Sequence, residues 1–253
     1  MGKRRPRRAH AMIRLTLPHW YGFTDGVRVV PAGPLTEEEW GRLRERDAAF
    51  GFGNSREEWM AYARSNSAIV ERAAGVSGLL RAWSVRRLVS VGVGTGIFEF
   101  LLKSSTPSLE IRCGDRGSES LLLLQQRFTE AKSVERMDLR DQTWIRDPEE
   151  IVLLNRVDME MSDAEWHGFF KDLAVRGVKR VIWIPCGLLT GVSMLMEIRG
   201  VLVGLGMRRH LYRSGYLRTP PRMIELFSEH YERREVIVRG DLPTWGLHLS
   251  ERS

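Results

Sequence analysis

The sequence has few cysteines and no long apolar segment. Only Cys113 and Cys186 occur among 253 residues, which excludes a disulfide framework and indicates a reducing compartment. No window of about 18 residues is free of charge, as a membrane span would require. The N-terminus also lacks the apolar core of a signal peptide. We therefore predict a cytoplasmic protein with no membrane partner.

Internal repeats and clusters of metal ligands are absent as well. The chain is therefore not expected to form a solenoid or to hold a metal ion. Its apolar content of 43% and charged content of 28% are typical of a globular protein. The length allows one large domain with a sizeable core.

Positive charge is concentrated at the start of the chain. Of the net charge of +7, five come from Lys3, Arg4, Arg5, Arg7 and Arg8, so the rest carries only +2. A short basic tail sometimes binds nucleic acid, but it is more often a solvated terminus. Nucleic acid is therefore a less favoured partner than a small molecule.

One stretch organises the remainder of the chain. Residues 88–96 read Leu-Val-Ser-Val-Gly-Val-Gly-Thr-Gly, an apolar run that breaks into glycines and predicts a buried strand with a tight turn. Residues 97–102 are dense enough in apolar side chains for a helix packed on a sheet. A second strand over 109–113 then ends near Asp115. Together these elements form a βαβ unit.

The glycines and the acid of this unit indicate a ligand site. Gly92 and Gly94 permit a sharp turn and close approach of a ligand, and Gly96 lets the helix start next to the strand. The helix N-terminus offers free N–H groups to an anion. Asp115 follows Gly96 by 19 residues, a spacing at which the end of the second strand reaches a ribose hydroxyl.

The glycine spacing separates two cofactor classes. Dinucleotide enzymes use G-x-G-x-x-G, whereas this sequence has G-x-G-x-G with Ile97 at the position of that third glycine. The unit resembles the first motif of class I S-adenosylmethionine-dependent methyltransferases. The resemblance implies S-adenosylmethionine as cofactor, with the glycine loop on its methionine part and Asp115 on its ribose. The family usually has Asp or Glu two residues before the first glycine. This chain has Ser90 there, and we count Ser90 among the predicted cofactor-binding residues.

The same resemblance assigns a residue after the third strand. In that family a polar residue there meets the adenine amino group, a role that Asp138 takes by position, with Leu139 as an apolar neighbour. The alternative is a solvated acid in a turn, since acids are common in loops. Both interpretations stay open at this point.

Candidates for the chemistry follow the fourth predicted strand, residues 151–154. Ligands of open α/β sheets bind beyond the carboxyl ends of strands. Asn155, Arg156 and Asp158 are therefore expected to contact substrate or remove a proton, and Asn155 also to touch the cofactor. His210 is a further candidate base. It lies in an arginine-rich stretch, residues 208–218, that could cradle an anionic substrate.

Three residues have a plainer interpretation beside a functional one. A Cys186 nucleophile would need a lowered thiol pKa, and no partner for it is evident, so a buried structural cysteine is favoured. Trp59 and Tyr62 could lie over the cofactor. Packing in the core is the preferred interpretation for both.

The predicted fold is a Rossmann-like, mostly parallel seven-stranded α/β sheet with helices on both faces and an N-terminal helical extension. Residues 1–75 would hold the basic tail, a loose hairpin of 13–17 with 27–30, and lid helices over 36–50 and 55–74. Residues 76–253 would form the cofactor-binding domain, beginning with a short helix over 76–83 and interrupted by an insertion at 188–218.

The predicted function is an enzyme that transfers a methyl group from S-adenosylmethionine to an oxygen or nitrogen of a small molecule. No Asp/Asn-Pro-Pro-Tyr motif follows the fourth strand, which disfavours methylation of base amines. An RNA or protein methyltransferase that uses the basic tail and the arginine-rich insertion is an alternative. A second alternative is a non-catalytic scaffold subunit, because fold does not establish function. A dinucleotide oxidoreductase is the most distant.

Overall fold

The computed structural model describes residues 13–18, 20–21, 30–31, 53, 55–191, 193–195, 198–199, 202, 215–239 and 242–251. None of the helices in these ranges is long and apolar enough to cross a membrane. The strands are β1 (Thr16–Pro18), β2 (Trp20–Tyr21), β3 (Val30–Pro31), β4 (Arg87–Val91), β5 (Glu110–Asp115), β6 (Ser133–Arg136), β7 (Ile151–Asn155), β8 (Arg180–Ile184), β9 (Tyr216–Arg218), β10 (Tyr231–Arg239) and β11 (Leu242–Leu249). The helices are α1 (Arg56–Ser65), α2 (Ser67–Ala82), α3 (Ile97–Ser105), α4 (Ser118–Arg127), α5 (Asp163–Val175) and α6 (Pro220–Glu225), with a 3₁₀ turn at Gln142–Trp144.

A seven-stranded sheet forms the centre of the molecule, in the order β10-β11-β8-β7-β4-β5-β6. The five strands from β8 to β6 run parallel, while β11 and β10 are antiparallel additions at one edge. This confirms the predicted α/β fold. The inner strands β4 and β7 read as nearly continuous apolar runs because helices cover both of their faces.

Two apolar layers, one on each face of the sheet, make up the core. On one face Leu88 and Ile111 pack with residues of α1 to α4. On the other, Val89 and Val152 pack with the aromatic side chains of α5 and with residues after β9. Alternate residues of β4 therefore face opposite layers, as the two-residue period of a strand requires. Ser90 lies on the same face as Leu88.

The helices before β4 differ from the prediction. The structure has a break at Asn66, followed by one helix over 67–82, instead of helices over 55–74 and 76–83. The Asn66 backbone N–H donates the last hydrogen bond of α1, to the Tyr62 carbonyl. The Asn66 side chain then caps α2 by accepting a hydrogen bond from the Ile69 N–H. Asparagine favours such caps over helix interiors. The predicted helix over 36–50 lies outside the described residues.

The N-terminal strands pair differently from the predicted hairpin. β1 pairs with β9, about 200 residues further along, with Thr16 opposite Arg218. The short strands β2 and β3 pair with each other. The prediction that 13–17 pairs with 27–30 is therefore wrong for β1, because a partner this remote in sequence leaves no local turn signal.

The predicted insertion at 188–218 begins and ends at adjacent points. The Leu189 N–H donates to the Arg218 carbonyl and the Arg218 N–H to the Gly187 carbonyl. The described residues between 191 and 202 are helical, in agreement with the helix that the apolar residues of 191–205 predict. The division at residue 75 stays a prediction, and α2 runs through it.

Candidate active site

The strand order reverses between β4 and β7. The chain proceeds from β4 to β5 and β6 on one side, and then returns to β7 and β8 on the other. Loops that leave the carboxyl ends of β4 and β7 therefore diverge and leave a crevice, which is where open α/β sheets bind ligands. The predicted site residues in the described part lie near the ends of strands that finish at this edge or in the loops that follow them.

The glycine loop, residues 92–96, turns the chain from β4 into α3. Gly92, Gly94 and Gly96 have φ of 74°, 54° and 68°, a region that only glycine adopts readily. A side chain at Gly96 would collide with Leu124. Nothing lies within 4 Å of the position that a side chain at Gly94 would take. The middle of the loop therefore faces open space.

Asp115, at the end of β5, is joined to this loop. Its Oδ2 accepts a hydrogen bond from the Gly94 N–H over 2.9 Å, and its Oδ1 accepts one from the Gly117 N–H over 3.1 Å. The side chain remains partly exposed. A carboxylate has about four lone-pair sites, so both oxygens retain capacity for ligand hydroxyls. The structure brings Asp115 and the loop together as the βαβ unit predicts.

Ser90 is buried beneath the glycine loop and does not reach the surface that a ligand would contact. It is 0% exposed and its hydroxyl donates to Glu99 Oε1 over 2.7 Å. Burial raises the pKa of Glu99 to about 7, against the lowering effect of the Ser90 hydrogen bond. Sequence analysis missed Glu99. The available signal was an acid in the first turn of an otherwise apolar helix.

Helix α1 supports the loop from the side. Trp59 is 1% exposed and packs against Phe100, and its indole N–H donates to the Thr95 carbonyl over 2.8 Å. Tyr62 is partly buried against the same layer. The preferred core interpretation of Trp59 is confirmed, with an added contact that fixes the loop backbone.

Asp158 connects the loops after β7 and β8. It is 0% exposed, and its two oxygens accept hydrogen bonds from the Cys186 N–H over 2.8 Å and the Gly187 N–H over 2.7 Å. Burial raises the pKa of this carboxyl. The arrangement suits a clamp between two loops, because each carboxylate oxygen already accepts a hydrogen bond from a loop backbone.

Asn155 and Arg156, at the end of β7, have features that a ligand would explain. The Asn155 Oδ1 atom is buried and has no hydrogen-bond partner among the described residues. Arg156 is exposed and has a φ of 62°, a conformation that costs a side-chain-bearing residue about 1–2 kcal/mol. Strain of this kind is concentrated at functional sites.

Glu160 crosses over the end of β4 to reach the loop after β5. Its carboxylate lies 3.7 Å from the Arg116 guanidinium, although β4 separates β7 from β5 in the sheet. Burial raises the pKa of Glu160, and Arg116 and Arg140 offset this only in part. Sequence analysis missed this residue, because only the strand order shows that it reaches across the crevice.

Asp138 lies at the far side of the same edge, after β6. Its Oδ1 accepts a hydrogen bond from the Arg140 N–H over 2.9 Å, and its side chain is 40% exposed. The backbone turns back at Asp141. The residue therefore has the geometry of a turn acid and also remains accessible to a ligand.

Other predicted features contribute less. His210 and most of the arginine-rich stretch lie outside the described residues, as does the basic tail. Cys186, predicted as a buried structural cysteine, is only half-buried, although desolvation raises the pKa of its thiol and so keeps it protonated. Among the described residues, no cluster of His, Cys, Asp or Glu could hold a metal ion.

Comparisons with known proteins give a consistent fold. No protein-family model and no curated protein matches the sequence. The structure is similar to the mitomycin 7-O-methyltransferase MmcR, with a TM-score of 0.57 and 16% identity over 83% of this chain and 60% of that chain. It is also similar to magnesium protoporphyrin IX methyltransferase from Synechocystis PCC 6803 with bound SAH (TM-score 0.55, 15% identity, 83% of this chain and 94% of that one).

A third similar structure is human N-acetylserotonin methyltransferase in complex with SAM, with a TM-score of 0.51 and 17% identity over 86% of this chain and 63% of that one. The chain thus spans less than two thirds of the human protein and of the mitomycin enzyme. At these identities the likeness shows the fold, which is that of class I S-adenosylmethionine-dependent methyltransferases.

Proposed function

We propose that this chain transfers a methyl group from S-adenosylmethionine to an oxygen or nitrogen atom of a small molecule. The observation that carries the proposal is the joining of Asp115 to the Gly94 N–H beside the point where the strand order reverses. Two of the similar proteins are named as methyltransferases of mitomycin and of N-acetylserotonin, which supports a small-molecule acceptor.

The residues at the edge fit this cofactor. The open space beside Gly94 accommodates its methionine part, and the remaining lone pairs of Asp115 suit ribose hydroxyls. Asp138 is accessible for the adenine amino group, and the Asn155 Oδ1 atom, which has no partner among the described residues, would gain a donor. When bound, the cofactor supplies an electrophilic methyl group on a sulfonium.

The contribution of the chain is chiefly to position the reactants, which accounts for most of the acceleration in an in-line displacement. In the proposal, Asn155 orients a donor group of the ligand. Asp158 acts indirectly, by holding the loop that follows Asn155 against the loop after β8. Neither residue takes the proton.

A base is needed only if the acceptor must lose a proton. We propose Glu160 for this role, because its raised pKa and its position across the crevice suit a proton acceptor. His210, predicted from the sequence, is the alternative base. The exposed, strained Arg156 and the arginine-rich stretch favour an acceptor that carries negative charge.

Calorimetric titration with S-adenosylhomocysteine tests the proposal. We expect micromolar binding to the wild type and at least about 30-fold weaker binding to Asp115→Ala. Asp172→Ala is the matched control, because Asp172 is exposed on α5, and it should bind as the wild type does. Absence of binding to the wild type would contradict the proposal and favour a non-catalytic scaffold.

A further inference from the structure

Glu99, beneath the glycine loop, has a hydrogen-bond partner among the described residues for only one of its two carboxylate oxygens. Ser90 on β4 and Glu99 in the first turn of α3 are both fully buried, and the Ser90 hydroxyl bonds to Glu99 Oε1. The second carboxylate oxygen, Oε2, is buried too and has no hydrogen-bond partner in the described part of the chain. Burying a polar atom without a partner is unfavourable.

Among the described residues, the charged group that acts on this carboxyl is negative. Desolvation raises the pKa of Glu99, and the nearby negative charge of Asp115 adds to the effect. Within the described residues, no lysine or arginine offers Oε2 a hydrogen bond. A ligand cation would supply the missing partner and would favour the charged carboxylate.

The pair also flanks the loop on which the cofactor is proposed to lie. Ser90 precedes Gly92 by two residues, and Glu99 follows Gly96 by three. In the sheet, Ser90 lies beside Cys113 of β5, two residues before Asp115. The half-satisfied acid therefore lies close enough to Asp115, the residue proposed for the ribose, for the charge of Asp115 to act on it.

We propose that Glu99 binds the α-ammonium group of the cofactor's methionine part, and so supplies from α3 the acid that Ser90 replaces on β4. This inference rests on the proposed function. The α-ammonium group completes the hydrogen bonding of Oε2 and offsets the buried charge. Ser90 is the positioning residue, because it fixes Oε1 and with it the orientation of the carboxylate.

A thermodynamic cycle, with one change in the ligand and one in the protein, tests the pairing of Glu99 with the α-ammonium group. The ligands are S-adenosylhomocysteine and its analogue with hydrogen in place of the α-amino group, and the proteins are the wild type and Glu99→Gln. Each single change is expected to weaken binding about 10-fold or more. Both changes together should cost hardly more than one, because they remove the same contact. Glu71→Gln, on the exposed side of α2, is the matched control and should retain the full preference for the amino group.

The outcomes separate the two proposals. Equal weakening of both ligands by Glu99→Gln would show a purely structural role and overturn the inference, with the proposed function intact. If the wild type binds neither ligand, both proposals fail. Should Glu99→Gln not fold, Ser90→Ala replaces it, and the preference for the amino group must then fall. An unchanged preference in Ser90→Ala would overturn the inference.

Discussion

Asp115 and Asp158 make the same kind of contact at two neighbouring points of the sheet edge. Each follows or ends a buried strand and accepts hydrogen bonds from two backbone N–H groups. They differ in what covers them. Asp115 stays partly exposed beside the open face of Gly94, whereas Asp158 is enclosed where the ends of the 188–218 insertion meet. One arrangement leaves lone pairs for a ligand, and the other uses them to hold loops.

The largest expected effect on stability is at the enclosed acid. Asp158→Ala removes the acceptor of the Cys186 and Gly187 N–H groups, each costing about 1–3 kcal/mol if left buried. We expect a loss of about 3 kcal/mol in the free energy of unfolding, measured by urea denaturation. Asp141→Ala, which removes one exposed contact to the Thr143 N–H, is the control and should lose less than about 1 kcal/mol.

A second test uses pH, because Glu99 is a buried acid and its Oε2 has no hydrogen-bond partner among the described residues. Its folded pKa of about 7 lies above the ordinary value of 4.5, so the folded state holds its proton more tightly. Stability from this group is present below pH 4.5 and is lost as pH rises through about 7. Between pH 5 and 8 the wild type should lose on the order of 2–3 kcal/mol more than Glu99→Gln. Equal losses would contradict the buried, half-satisfied carboxyl.

Gly96 and Gly94 of the glycine loop differ in the same way, because a side chain would meet neighbouring atoms at Gly96 but not at Gly94. Gly96→Ala combines a positive φ with a collision against Leu124, and we expect a loss of about 2–3 kcal/mol in unfolding free energy. Gly94→Ala carries the φ penalty alone, about 1 kcal/mol, but places a methyl group in the open space proposed for the cofactor. It should weaken S-adenosylhomocysteine binding at little cost in stability. A destabilisation of equal size would show that Gly94 is not open.

The smallest effect on stability is expected where α1 supports the glycine loop. Trp59→Phe keeps an aromatic ring beside Phe100 but removes the donor to the Thr95 carbonyl. We expect a loss of about 1 kcal/mol in unfolding free energy. Tyr62→Phe, on the same helix, is the control. Calorimetry should also show slightly weaker ligand binding in Trp59→Phe, since the loop backbone is less fixed.

Local patterns in the sequence predicted most of the fold and part of the site. The glycine loop, Asp115 and the apolar strands β4 and β7 all follow from short-range spacing, which the structure reproduces. The pairing of β1 with β9 could not be predicted, because it joins segments about 200 residues apart without a turn between them.

The sequence did not reveal which acidic side chains of the candidate site are exposed to solvent. In the sequence Asp115 and Asp158 both appear as acids at or after the end of a strand, and only the packing above them separates a partly exposed carboxylate from a buried clamp. The link between Ser90 and Glu99 depends on how β4 and α3 face each other. The reach of Glu160 to Arg116 depends on the strand order. None of these three features can be predicted from the spacing of residues along the chain.

The most direct measurement compares Asp115→Asn with Asp158→Asn by two readouts, urea denaturation and titration with S-adenosylhomocysteine. The account predicts a crossed result. Asp115→Asn should lose ligand affinity more than stability, and Asp158→Asn should lose stability more than affinity. If both variants lose the two quantities in equal proportion, or if the order is reversed, the division between a ligand-facing acid and a loop clamp is contradicted.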